Sequence, residues 1–220
     1  TGVQLILVNY FSVRISMSVT PSADAVSAPT SSKHRAGVLP VMLALMMSMF
    51  VSMLAATVVS TSLPVIIADL GGDQSAFTWV VTATLLATTV STPVWGKLAD
   101  LFNRKLLLQL ALVLFVVATA IAGMSTTTDM LIAMRVVQGL GAGGLAALSQ
   151  IVMADVVSPR ERGRYAGLFG AAMAVGTVGG PLLGGFLTDA LSWHWNFYVA
   201  IPFAVAALVM LQRSLHLPPQ

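Results

Sequence analysis

The stretch GKLADLFNRK, from Gly96 to Lys105, decides how this chain is read. It lies between two long apolar runs and gathers a glycine, an aspartate, an asparagine and several cations into one short segment. A soluble core has no use for such a junction. Two membrane-spanning helices do, because they must be joined tightly on the side of the bilayer where cations collect. Asn103 belongs to the residue type that, after glycine, best tolerates the left-handed backbone conformation, so the segment predicts a tight left-handed turn.

Outward from that junction the chain is overwhelmingly apolar. Of 220 residues, 57% are hydrophobic and 9% are charged, and the mean hydropathy is +0.89. A water-soluble domain carries about 25% charged residues. This chain has too little polar surface to cover a globule, so lipid is the solvent for most of it. Cysteine is absent, which leaves no disulfide framework, thiolate metal site or cysteine nucleophile. The isoelectric point near 9.7 suggests no nucleic-acid partner, because the cations are few and scattered among apolar runs.

Six apolar runs cover roughly 39–63, 77–96, 105–124, 129–154, 163–188 and 195–212. Each approaches the ~20 residues that cross the hydrocarbon as a helix. The short alternating segments of a membrane barrel are missing. Lys33, Arg35, Lys97, Arg104, Lys105, Arg160, Arg162, Arg164 and Arg213 fall before the first run, between the second and third, between the fourth and fifth, and after the sixth. The other connections hold Asp69, Asp73, Asp129 and Asp189 and no Lys or Arg. That asymmetry predicts an even number of spans with both chain ends in the cytoplasm. Trp79, Trp193 and Trp195 at the outer boundaries and Trp95 at an inner one read as an aromatic belt.

Residues 1–38, rich in Ser, Ala, Thr and Pro, are expected to form a disordered cytoplasmic tail. The one short apolar run near Thr1 has no basic residue ahead of it and does not read as a signal peptide. Met17 is the expected natural start. Residues 39–213 form the six-helix unit, and 214–220 its cytoplasmic end. His34, His194 and His216 are far apart and lack ligand spacing, so neither a metal site nor an enzyme is indicated.

Inside the spans, polar chemistry is sparse. Arg135 is the one cation well within a run, where it costs about 2.5 to 3.5 kcal/mol on insertion scales. It either reaches neighbouring backbone carbonyls or lines a polar cavity that senses substrate or a coupling proton; the second reading is preferred. Gln138 follows at i+3, on the same helical face. Gly139 and Gly143 form a GxxxG spacing that admits a second helix closely. Gly176, Gly180 and Gly184 recur every four residues in the fifth run, and Pro181 removes an intrahelical bond there. Asp100, near the end of the second run, opposes the helix dipole and needs a partner; Arg104 can supply charge, and so can the N-terminus of a neighbouring helix. Asp155, Arg160, Glu161, Arg162 and Arg164 are either solvated interfacial charge or a gating network. No Asp or Glu lies deep within any of the six runs.

Together these stretches resemble the major facilitator superfamily. Gly96, Leu98, Asp100, Arg104 and Lys105 fit the signature between its second and third helices, with Leu101 and Asn103 departing from it. RVVQGLGAGG, Arg135 to Gly144, resembles the fourth-helix motif. GTVGGPLLGG, with Gly176, Gly180, Pro181, Gly184 and Gly185, resembles the antiporter motif that marks drug:proton exporters. LAATVVSTSLPVI, Leu54 to Ile66, resembles the first helix of the fourteen-helix drug:proton antiporters through Thr57, Val58, Val59, Leu63 and Pro64. Ala55 stands at that motif's acidic position and Ser60 at its Asn position.

The resemblance implies an all-α membrane protein forming the N-terminal six-helix half of a major facilitator fold, in a bacterial cell membrane. It implies a multidrug efflux antiporter with rocker-switch alternating access, exchanging amphipathic small molecules for protons and needing no cofactor. Arg135, Gln138 and Thr57 would face the substrate cavity or couple the proton. Gly96, Asp100, Arg104, Lys105, Asp155, Glu161 and Arg162 would gate, and the Gly176–Gly185 stretch would let the halves rock. With Ala55 at the acidic position, the proton carrier either lies in the C-terminal half, the expected partner of a truncated chain, or coupling differs from the family pattern. A facilitator or importer of sugars or organic ions on the same fold is the alternative, although LQRSLHLPPQ lacks the stretch that sugar porters carry after helix six. A non-transporting receptor would call for a long extramembrane domain.

Overall fold

A computed structural model describes residues 31–214. Residues 1–30 of the expected 1–38 tail, the start at Met17 and the end beyond residue 214 lie outside the described residues, and residues 31–38 of that tail are helical. The packing below is that of the unit beginning at His34. Its elements are α1 (Ser31–Asp69), α2 (Gln74–Leu101), α3 (Arg104–Gly123), α4 (Thr128–Val156), α5 (Arg162–Ala190), α6 (His194–Tyr198) and α7 (Ala200–Ser214). They give six spans long and apolar enough to cross a membrane, the sixth built from α6 and α7 together.

The helices run longer than the apolar runs that announce them. α1 begins at Ser31, ahead of residue 39, and continues past Pro64 to Asp69. It closes on Gly71 at φ 69°, with the Gly72 amide donating to Ile67 O at 2.8 Å and the Gly71 amide to Ala68 O at 3.1 Å. That is a Schellman closure, which needs a residue without Cβ strain at the left-handed position. The break between α6 and α7 falls at Val199, whose backbone stays helical (φ −62°, ψ −30°). Pro202 has no N–H to donate to the carbonyl of Tyr198 four residues back, so one rung is lost without a turn.

The junction at Asn103 differs from the expectation. Asn103 is extended (φ −61°, ψ 117°), not left-handed, and it caps α3: its side chain accepts from the Lys105 amide at 2.9 Å and the Leu106 amide at 3.3 Å. The physical reason is that asparagine relieves orphan amides at a helix start as readily as it tolerates a turn.

Contacts sort the helix ends into two groups. At one end Arg104, at the start of α3, pairs with Asp155 near the end of α4, and Lys105 donates to Gln212 O of α7 at 3.1 Å. At the other end Trp193 donates to Asp69 at 2.7 Å, and Gly72 packs on Thr128 at the start of α4. The cationic connections thus share one end and the acidic connections the other.

Burial follows helical periodicity. α1 turns Val41, Met42, Leu45, Val51, Leu54, Val58 and Ile66 inward. With Leu108, Leu112, Leu145, Leu148, Ala204 and Leu211 from α3, α4 and α7, the N-terminal part of that face forms one continuous core. A second cluster, around Leu63, Ile66, Leu131 and Phe197, fills the opposite end. α4 is wedged by glycine on two sides. A Cβ at Gly139 or Gly143 would meet α2 backbone oxygen (Thr84 O and Thr88 O) at 2.7 Å, and one at Gly141 would meet Phe115 N of α3 at 2.8 Å. Only a missing side chain permits backbones to approach so closely.

Candidate functional site

A cavity of about 310 Å³ opens among α1, α2, α4 and α5. Met49, Ser52, Met53, Ala56 and Ser60 line it from α1, Thr84 and Thr88 from α2, Phe115 from α3, Arg135 and Gln138 from α4, and Met173 from α5. The walls are mostly apolar and partly thioether, a surface that adapts its shape to different ligands.

Arg135 and Gln138 are 5% and 2% exposed, and the other buried residues of α4 are Leu, Gly, Val, Met and one Ser. The i+3 spacing brings their heads together: Arg135 Nη1 donates to Gln138 Oε1 at 2.7 Å. Gln138 Nε2 donates in turn to Thr119 Oγ1 at 2.9 Å, and Thr119 donates to the Phe115 carbonyl at 2.7 Å. The chain ties α4 to α3 and orients the guanidinium. Arg135 Nε is buried and finds no acceptor among the described residues. Thr119 was not foreseen; a Thr in an apolar run usually bonds its own helix, and only the fold reveals that it also receives Gln138.

Thr57 does not line the cavity. It stands between α1 and α5, where Oγ1 lies within hydrogen-bond reach of Met53 O (2.9 Å) and of Gly176 O (3.0 Å). A Cβ at Gly180 would fall 1.8 Å from that oxygen, and one at Gly184 would fall 2.8 Å from Val58 O. Gly176, Gly180 and Gly184 are buried against α1, whereas space is open beyond Gly185. α5 runs without interruption through Pro181. Ala55, at the acidic position of the first-helix motif, is buried in the core and not at the cavity.

The charged residues at the cationic end are brought together differently from expectation. Arg104 pairs with Asp155 and donates through Nε to Ala99 O at 3.3 Å. Asp100 is exposed and has no ion pair among the described residues. The reason is geometric: Arg104 opens α3 and its side chain runs toward the end of α4, away from the solvent face that carries Asp100. Arg162 closes α4 by donating to Ala154 O at 2.8 Å and Val157 O at 3.4 Å, placing a cation at the negative end of the helix. Glu161 accepts from Ser158 at 3.2 Å. Space is open at Gly96, which lies inside α2.

At the opposite end a buried knot joins α1, α5 and α6. Asn196 Nδ2 donates to Ser62 Oγ and, at 2.8 Å, to Thr188 Oγ1. Trp193 is buried with its indole on Asp69, and Trp95 donates to Leu140 O at 2.9 Å. These two rings bond helices together, while Trp79 and Trp195 are exposed as a belt requires.

A family profile described as Major Facilitator Superfamily matches residues 45–220. The chain belongs to that superfamily. Its similarity extends to the Acurin A biosynthesis cluster MFS-type transporter of Aspergillus aculeatus, 42% identical over 171 residues that make up 78% of this chain and 31% of that protein. It is 38% identical to the Multidrug transporter protein MdtP of Bacillus subtilis, again over 78% of this chain and 31% of that protein. Among solved structures, the MFS proton:xylose symporter XylE matches with a TM-score of 0.73 at 15% identity, over 81% of this chain and 45% of XylE. That likeness establishes the major facilitator fold. The chain spans about a third of the length of these curated relatives.

Proposed function

We propose that this major facilitator chain is the N-terminal six-helix half of a secondary transporter that exports amphipathic small molecules by proton antiport. The observation that carries the reading is the cavity itself: one fixed guanidinium–amide pair in a wall of methionine, alanine and phenylalanine. A sugar site would need many unengaged hydroxyl or amide partners. Here four hydroxyls line the cavity, and three of them, Ser60, Thr84 and Thr88, already donate to carbonyls of their own helices, which leaves Ser52. Relatives named as efflux pumps and multidrug transporters favour export over sugar uptake.

In this reading α2 and α5 receive the other six helices, because both leave long apolar faces exposed, Leu85, Leu86 and Val90 on one and Val178, Leu182 and Phe186 on the other. The Arg104–Asp155 pair and the Arg162 cap form the cytoplasmic gate, together with Gly96, Asp100, Lys105 and Glu161. The stripe of Gly176, Gly180 and Gly184 against Thr57 is the joint on which α5 moves, with Pro181 and Gly185 on its outer side. The proton is carried by an acid outside the described residues, since the cavity holds no carboxylate among them.

The test is export of a fluorescent dye from efflux-deficient bacteria expressing this chain joined to the C-terminal half of MdtP. Dye loss that stops on adding an uncoupler is the expected result; export indifferent to the uncoupler removes the antiport claim. Because the chain has no cysteine, Arg162→Cys reports sidedness directly. It should react with an impermeant maleimide only in inside-out vesicles.

A further inference from the structure

We propose that the cavity takes an organic anion: an amphipathic acid whose carboxylate or sulfonate rests on Arg135 while its flat apolar body lies among Met49, Met53, Phe115 and Met173. The inference rests on reading this cavity as the substrate site, and it names the charge of what enters.

Of the hydrogen bonds that Arg135 could donate, one is made, from Nη1 to Gln138. Nε is buried without an acceptor, although the residue as a whole borders the cavity. Gln138 cannot serve a second anion-like role, because its oxygen is taken by Arg135 and its nitrogen by Thr119. Neither Asp nor Glu lines the cavity, and the position where the first-helix motif places an acid is Ala55, buried in the core. Among the described residues the acids lie at the helix ends, where Asp155 is paired with Arg104.

Among the described residues the guanidinium therefore has no counter-ion, in a chamber that is mostly apolar. An uncompensated charge in such surroundings is costly, and a ligand that supplies the missing acceptors removes that cost. A planar carboxylate matches the planar fork of Arg and forms charge-assisted bonds, which a neutral amide of the same shape does not. A cationic ligand meets repulsion. The volume of about 310 Å³ accommodates a bicyclic aromatic acid, and the thioether walls suit its ring faces.

The test compares 2-naphthoate with 2-naphthamide, which share a shape and differ in charge, by calorimetry on the full chain in lipid nanodiscs. Naphthoate should bind about tenfold more tightly or better, the size of one charge-assisted contact. Arg135→Gln should remove that preference and leave naphthamide within about twofold; Arg135→Lys should keep part of it. Equal affinities in the unsubstituted protein, preference for the amide, or no binding of naphthoate each overturn the proposal. Those readings stand even if a substituted protein fails to fold. Dye export is scored separately. Export without anion preference refutes the charge assignment alone, and anion preference without export refutes the efflux reading alone.

Discussion

α4 and α5 are alike in everything hydropathy measures and unlike in how they are held. Each has 29 residues, a most apolar window with mean hydropathy of 1.5, and a stripe of glycines. Half of that window is buried in α4 and 17% in α5. The difference lies in where the glycines point. In α4, Gly139 and Gly143 face α2, Gly141 faces α3, and Gly144 sits between Trp95 of α2 and Ala111 of α3, so two neighbours clasp it. In α5, Gly176, Gly180 and Gly184 all face α1, and the remaining circumference, with Val175, Val178 and Leu182, is exposed. Apolarity puts a helix in the bilayer; the angular placement of glycine decides whether it is a fixed member or a movable one.

The most disruptive way to probe this contrast is Gly141→Leu. Its Cβ meets Phe115 N at 2.8 Å and Ala111 O at 2.9 Å. Both are backbone, and α4 cannot retreat because α2 blocks the other side. Overpacking costs about 1–3 kcal/mol and occasionally more. The expected result is severe loss of monodisperse protein in fluorescence-detected size exclusion. Gly180→Leu introduces an even shorter contact, 1.8 Å from Thr57 Oγ1, yet in this chain expressed by itself the outer face of α5 is exposed, so the helix can move outward. Abundance should stay within about twofold of the parent, the strain being relieved by displacement. The displacement itself is readable with a Met53→Cys, Gly176→Cys pair, because a Cβ added at Gly176 would lie 3.3 Å from Met53 Cβ; Gly180→Leu should abolish that cross-link. If the two substitutions damage abundance equally, the contrast between a fixed and a movable helix is wrong.

An intermediate effect is expected at the polar chain that fastens α4 to α3. Gln138→Leu leaves Arg135 Nη1 and the Thr119 hydroxyl without their partner. An unsatisfied buried polar group costs about 1–3 kcal/mol. Adding Arg135→Leu removes the stranded charge and should recover most of that loss, since apolar replacement of a whole buried pair is often neutral. Strictly additive losses in denaturant midpoints would mean that the two side chains do not act as a unit. No matching loss should follow from Thr57→Val on α5's side, where the hydroxyl also has carbonyls of its own helix to serve.

The sequence carried the spans, the close approach at Gly139 and Gly143, and the Arg135–Gln138 meeting, because each is a matter of helical period within one segment. It did not carry what depends on distant segments meeting. Thr57 was read as cavity-facing, yet α5 covers it, a fact fixed by Gly180 more than 100 positions away. Arg104 was matched to Asp100 by nearness in sequence, yet Asp155 lies closer in space. Trp193 reads as a belt residue in the sequence because its partner, Asp69, ends α1, 124 positions away. The left-handed turn was expected at Asn103 and is found at Gly71, where Gly71–Gly72 after a helix end was the stronger signal.

The smallest effect, at Asn103, sharpens the α4 side of the comparison. α3 is the wall on which Gly141 rests and one of the two that Gly144 touches, and its first turn is held by the Asn103 side chain accepting two amides. Asn103→Ala should lower stability by about 1 kcal/mol, Asn103→Asp should change it little, and Asn103→Gly should cost a few tenths. The ranking discriminates between a cap and a left-handed turn, because a turn would make glycine the best residue and aspartate no better than alanine. The loss should reach α4 and not α5. Amide exchange near Ala142 should quicken in Asn103→Ala, while exchange near Val178 stays as in the parent. Equal acceleration at both sites would show that the two helices are held in common after all.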